Sequence, residues 1–247
     1  MTAEEKFHHE LNVFREEVES GIQFFYTQQA INIILRNDKV ALKVINETPL
    51  FWKTNISALQ TAYFIVLGRI FDQQSRHNID GLIKLAQDNR EIFSKEALAN
   101  RKRELDSNAD EWLDGYLKEV HEPTTEDFRR LKKHIKKYRR VYENSYRDIR
   151  RKIYAHKELS IGTEIQKLFS KTTFSELEML FSFLIKLHES LWQLFYNGWK
   201  PILRPAPYST KNILKQLKSR TYSNNILDLI FSEVRKFYEL LANTTGN

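Results

Sequence analysis

The sequence predicts an all-α protein, and three observations carry that reading. Only seven Gly and five Pro punctuate 247 residues, so few positions force the chain out of regular structure. Apolar residues recur at spacings of three and four over long stretches, the period of amphipathic helices. Capping residues and first-turn prolines stand where these stretches begin. A chain of this length can bury one continuous core as a single large domain, alone or with an extension.

Residues 4 to 36 place Phe7, Leu11, Phe14, Val18, Ile22, Phe25, Ala30 and Ile33 about one turn apart, so one long helix is expected, with Gly21 as the point where it could bend. A short apolar segment, "VALKVI", comes before Thr48 and Pro49, a cap and first-turn proline for the next helix. That helix, "LFWKTNISALQTAYFIVLGRIFD", is apolar on most faces and is expected at the centre of a bundle. Arg69 and Asp72 near its end share a face, so they are expected to pair with each other, to link to a neighbouring helix, or to border a polar cleft.

Residues 78 to 89 read as a short helix with an Asn cap, and 94 to 120 as two more short or irregular helices. "EPTTEDF" starts the next long helix, with a threonine cap and acids in the first turn. It is expected to run to about residue 154. Phe128, Leu131, Ile135, Tyr138, Tyr142, Ser145 or Tyr146, Ile149 and Ile153 face inward. Residues 160 to 173 read as a loop or turn, and "FSELEMLFSFLIKLHESLWQLFYNG" as the following helix. "GWKPILRPAPYS" holds three of the five prolines and marks the best boundary. The expected units are therefore a helical bundle over 1–200 and a two-helix extension over 201–247, packed on the bundle or on a partner.

The chain has no cysteine, which removes disulfides and thiolate zinc sites. The charged first residues and the short apolar runs predict neither a signal peptide nor a membrane span, and a cytoplasmic location is the expectation. The net charge of +7 is modest, but twelve Lys and Arg lie between Arg129 and Lys152, against only Glu143 and Asp148. No phosphate loop or paired-histidine zinc motif appears, so neither a metal nor a cofactor is expected. Among the seven histidines, His8 and His9 read as solvated and His188 as a core or boundary residue satisfied by one hydrogen bond. His156 differs, because it follows the last turn of the basic helix, just behind Arg150 and Arg151.

Arginine and histidine together at a helix end suit metal-free cleavage of RNA. Imidazole can take the proton of a ribose 2′-hydroxyl while guanidinium stabilises charge on the phosphate oxygens. A second histidine or arginine, supplied by a symmetry-related copy, would assist the leaving 5′-oxygen. The residue types alone leave other roles open. The basic helix could grip nucleic acid without turnover, with Tyr138, Tyr142, Tyr146 and Tyr154 available for stacking, although their phase assigns most of them to the core. It could equally be a solvated face of an interaction protein.

"IRRKIYAHKE" at 149–158 resembles the signature of HEPN domains. There an arginine, four to six further residues and a histidine close a long helix, often with a polar residue straight after the arginine. It is most similar to the abortive-infection AbiU-type branch, whose segment reads Ile or Leu, Arg, Asp, Lys, two apolar residues, Ala, His, a basic residue and an acidic one. "LGRIFD" at 67–72, followed by "HNIDGLIKLA", is similar to that branch too. Arg129 and His134 also satisfy the bare spacing, but His134 lies mid-helix among lysines. Arg150 aligns best with the family arginine, which leaves Arg151 at the polar position.

The resemblance covers roughly residues 1 to 195 and implies an up-and-down HEPN-type helical bundle. That bundle would carry additional short helices and the C-terminal helical extension. It also implies a homodimer in which two Arg and His pairs share a cleft, acting as a ribonuclease toxin or phage-defence effector. The alternative implied by the family is a non-catalytic RNA-binding or protein-interaction module, with an antitoxin or regulatory protein as a further partner. The implied site comprises Arg150, His156 and Arg151 for catalysis, and Arg147, Lys152 and Lys157 for holding RNA. Tyr154, Asp148, Arg69 and Asp72 would support them.

Overall fold

The structure, a computed structural model, describes residues 1–155, 162–205 and 226–244. Among these residues the only regular secondary structure is helical, with no strand. His156, Lys157 and the helix expected in "TKNILKQLKSR" lie outside the described residues.

Helix α1 (Ala3–Asn37) opens with a reciprocal capping box between Thr2 and Glu5. Two of the donors left over at its first turn are satisfied in this way. Asp38 ends α1 and starts α2 (Lys39–Glu47), its carboxylate accepting the amides of Val40 and Ala41 at 2.9 and 3.1 Å. "VALKVI" is thus a helix of its own, whose Ala41 and Ile45 face inward. α3 (Pro49–Phe71) carries its proline in the first turn.

α1 runs unbroken through Gly21, which gives room for close approach, since a Cβ there would lie 2.6 Å from Phe181 Cε1 and 2.9 Å from Val66 Cγ1. One sequence expectation about these helices changes. α3 is not central along its whole length. Tyr63 to Phe71 supply the buried part, whereas Leu50 and Phe51 are 77% and 60% exposed. The first half of α3 extends past the main bundle, and there only Trp52 is enclosed, against Ile31, Ile34, Ala41, Ile45 and Tyr238.

Short helices follow: α4 (Ile79–Asp88), a 3-10 turn (Arg90–Phe93), α5 (Lys95–Leu105), a second 3-10 turn (Ala109–Glu111) and α6 (Leu113–Lys118). α7 (Thr125–Val141) starts on a second capping box, Thr124 with Asp127. Its continuation alternates wide and ordinary turns: π turns at Tyr142–Tyr146, α8 (Arg147–Ile149) and π turns at Arg150–Ala155. α9 (Gly162–Phe169) stands where a loop or turn is expected; none of its side chains is fully buried, but Ile165, Leu168 and Phe169 form a half-buried stripe, and Leu168 and Phe169 pack against the main core. α10 (Phe174–Asn197) starts on the Thr173 cap and ends at Gly198, whose φ of 61° lies in the left-handed region open to glycine.

One core joins α1, α3, α4, α7 and α10, with Phe7, Phe25, Leu67, Ile83, Tyr142 and Leu184 fully enclosed. α11 (Ile226–Thr244) lies on α1 and α2, adding Leu227, Ile230 and Phe231 to this core and Tyr238 to the smaller one around Trp52. Packing of this apolar face, not intrinsic propensity, stabilises such a helix. None of the described helices is long and apolar enough to cross a membrane.

Candidate functional site

The inward stripe of α7 and its continuation follows the predicted phase. Phe128, Leu131, Ile135, Tyr142, Tyr146 and Ile149 are at most 1% exposed, and Tyr138 is 6% exposed. Between Ser145 and Tyr146 the structure selects Tyr146, because the helix widens here: the Arg147 amide donates to the Tyr142 carbonyl, an i→i+5 bond. Wide turns of this kind recur at functional sites.

Tyr138, Tyr142 and Tyr146 are therefore structural and present no stacking face. Tyr138 stacks on Phe183 at 4.1 Å and Tyr142 on Phe71 at 5.4 Å. The Tyr146 hydroxyl lies 3.0 Å from the Thr173 carbonyl oxygen and 3.0 Å from Glu176 Oε2, which ties the wide turn to the start of α10. Tyr154 is half-buried against Phe64, at 5.2 Å between rings, and burial pushes its hydroxyl up to about 12.

Arg150 reaches from the second wide turn onto α3. Its Nη1 donates to Asp72 Oδ2 at 2.8 Å, and both side chains are about one quarter exposed. The Tyr142 hydroxyl faces the other carboxylate oxygen at 3.5 Å. Burial, then the charge of Asp72, pushes the Tyr142 hydroxyl well above its ordinary range, so it stays a neutral donor. The guanidinium lies directly over Gly68, where a Cβ would meet Arg150 Nε at 2.6 Å. Nε is buried without a partner, while Nη2 keeps solvent contact and makes no hydrogen bond among the described residues. The result is a cation held in one orientation with one donor edge turned outward.

The remaining predicted residues are placed differently. Arg69 and Asp72 do not pair with each other: Arg69 turns to Glu17 of α1 at 3.1 Å, so it stands apart from the Arg150 cluster. Asp148 pairs with Lys152 at 3.5 Å, and Arg147 lies 4.0 Å from Glu143. Arg151 is exposed and has no acidic partner among the described residues. The competing arginine, Arg129, is also exposed and is paired with Glu126. Sequence reasoning missed Gly68 and Tyr142 as neighbours of Arg150. The one signal for them is the i, i+4 spacing of Gly68 and Asp72, which puts a gap and a carboxylate on one face of α3.

His188 also differs from expectation. Its Nε2 is buried with no hydrogen-bond partner, and burial, with a smaller contribution from the Arg15 charge, pushes the imidazole down to about 4. His188 is thus neutral at ordinary pH and packs near Phe14 as an apolar ring.

A family model for HEPN AbiU2 domains, described as AbiU2, matches residues 4–221. The chain belongs to the AbiU2 family of HEPN domains. No curated protein and no solved structure matches it. For this AbiU2-family chain the match spans every element that builds the Arg150 cluster, from α1 to α10.

Proposed function

We propose that this HEPN chain is a metal-independent endoribonuclease acting as a toxin or phage-defence effector, with Arg150 and His156 as its working pair. The observation that carries the reading is the fixed guanidinium of Arg150 at the end of the basic helix. A donor oriented before substrate arrives is what stabilises charge in a transition state at low reorganisation cost.

In the proposed reaction His156 takes the proton from a ribose 2′-hydroxyl. The 2′-oxygen attacks the phosphorus while the bond to the 5′-oxygen breaks. Arg150, helped by Arg151, balances the charge on the phosphate oxygens, and a second copy of the chain supplies the group that protonates the leaving 5′-oxygen. The products are a 2′,3′-cyclic phosphate and a 5′-hydroxyl. Arg147, Lys152 and Lys157 hold the strand. The homodimer, the cytoplasmic setting, and the division at residue 200 into bundle and extension belong to the same proposal.

Purified full-length chain in EDTA should cut RNA and leave cyclic phosphate ends, and His156→Ala and Arg150→Ala variants that still fold should lose this activity. Intact RNA with the wild-type protein, or equal cutting by His156→Ala, overturns the reading. A second reading, a non-catalytic RNA-binding or regulatory module, is favoured by the charge pairing that already engages Arg150 with Asp72. It predicts RNA binding that survives His156→Ala with no turnover in either protein.

A further inference from the structure

Opposite the buried stripe of α7, a second stripe runs along the helix and its wide-turn continuation. Lys133, Lys136, Lys137, Arg140, Arg147 and Arg151 are all exposed, and only Arg147 has an acidic neighbour among the described residues. At no more than 1.5 Å per residue the stripe extends at most about 27 Å and ends one residue past Arg150. The described helices that pack on α7 are chiefly α4 and α10, both on its apolar side.

We propose that this stripe is a docking track for a double-stranded arm of RNA, held by its phosphates. The inference rests on the reading that RNA is the partner, and it adds which form of RNA the chain engages. Two features point to a duplex. Like charges lined up with only Glu143 beside them match a phosphate backbone, which a duplex holds at regular spacing. Single-stranded binding instead combines a basic groove with aromatic stacking platforms. Here the surface is the convex side of one helix, and Tyr138, Tyr142 and Tyr146, the aromatic residues along it, are all turned into the core. A duplex arm lying on the stripe would bring an adjoining unpaired segment to the Arg150 end, where a flexible backbone allows in-line attack by the 2′-oxygen.

The test measures binding in the His156→Ala background, so that turnover does not consume the probe. The probes are an RNA duplex of about 20 base pairs and a single strand of the same length. The combined variant Lys133→Ala, Lys136→Ala, Lys137→Ala and Arg140→Ala is compared across a salt series, with circular dichroism confirming the helical fold. Duplex affinity should fall at least about tenfold, and the salt dependence should flatten by roughly one unit of log–log slope per phosphate contact removed. Single-strand affinity should change less.

Unchanged duplex affinity and slope, an equal loss for both probes, or tighter binding of the single strand overturns the track. If the wild-type chain cuts no RNA yet binds the duplex through these residues, the ribonuclease reading falls and the track stands. If it cuts RNA and the four substitutions leave duplex binding untouched, the track falls and the ribonuclease reading stands.

Discussion

Gly68→Ala is expected to separate stability from activity. The added methyl carbon would sit 2.6 Å from Arg150 Nε and 3.1 Å from its Cδ and Cζ. Ordinary contact begins near 3.4 Å, so the guanidinium has to retreat from α3 by about 0.8 Å. Gly68 and Asp72 lie on the same face of α3, and a retreat from one lengthens the bond to the other. The 2.8 Å Nη1 to Oδ2 contact moves towards about 3.6 Å, outside hydrogen-bond range. The displaced group is the end of a flexible side chain, so the loss is confined to the contact with Asp72, about 1–3 kcal/mol. Replacing an interior helical glycine with alanine gains up to about 1 kcal/mol, so the net cost is about 0–2 kcal/mol and the melting temperature should hold or fall by up to about 8 °C. Misplacing a catalytic group by about 1 Å costs on the order of a hundredfold in rate. The paired assays are thermal unfolding by circular dichroism and initial rates of RNA cleavage. A variant that cuts RNA at the wild-type rate refutes the argument that the seat over Gly68 positions a working arginine. A variant that unfolds refutes the argument that Arg150 can yield at low cost.

Two further outcomes follow from the same geometry. Asp72→Asn keeps the size of the side chain and removes the charge, so Arg150 loses its ion pair. About 1–3 kcal/mol of stability should be lost in urea unfolding, and RNA cleavage should fall; an unchanged unfolding midpoint would show that the pair contributes nothing. His188 has a folded-state value of about 4, below the ordinary 6.5. Between those values the unfolded chain binds the extra proton, so stability rises with pH across about 4 to 6.5 and declines on acidification. His188→Leu should flatten that part of the stability profile by about 1–3 kcal/mol, and an unaltered profile would mean that the buried ring titrates normally.

The separation between what was legible in the sequence and what was not follows the range of the interactions. Helix phase is local. A period of 3.6 residues, read from Phe128 to Ile149, identified the inward side chains because any helix with that pattern must bury that face. The caps at Thr124 and Thr173 and the proline of α3 are equally local, since each acts within one turn. Family membership is readable from two ten-residue segments and one shorter one, and the family match extends it to residues 4–221.

Partner choice is not local. Nothing in the spacing of Arg69 and Asp72 says that the first turns to Glu17 while the second receives Arg150, 78 residues further along the chain. The exposed first half of α3 looked like core because its composition is apolar. Only the docking of α2 and α11 shows how little of it is covered. The wide turns at Tyr142 and Arg150 are of the same kind: they depend on how Tyr146 reaches the start of α10 and how Arg150 reaches over Gly68. By itself the sequence determined the helical class, the inward stripe and the family signature, because these depend on neighbours within a turn or two. The tertiary structure alone decided which carboxylate orients Arg150 and which basic residues stay unpaired along the helix, because those outcomes depend on surfaces that meet only after folding.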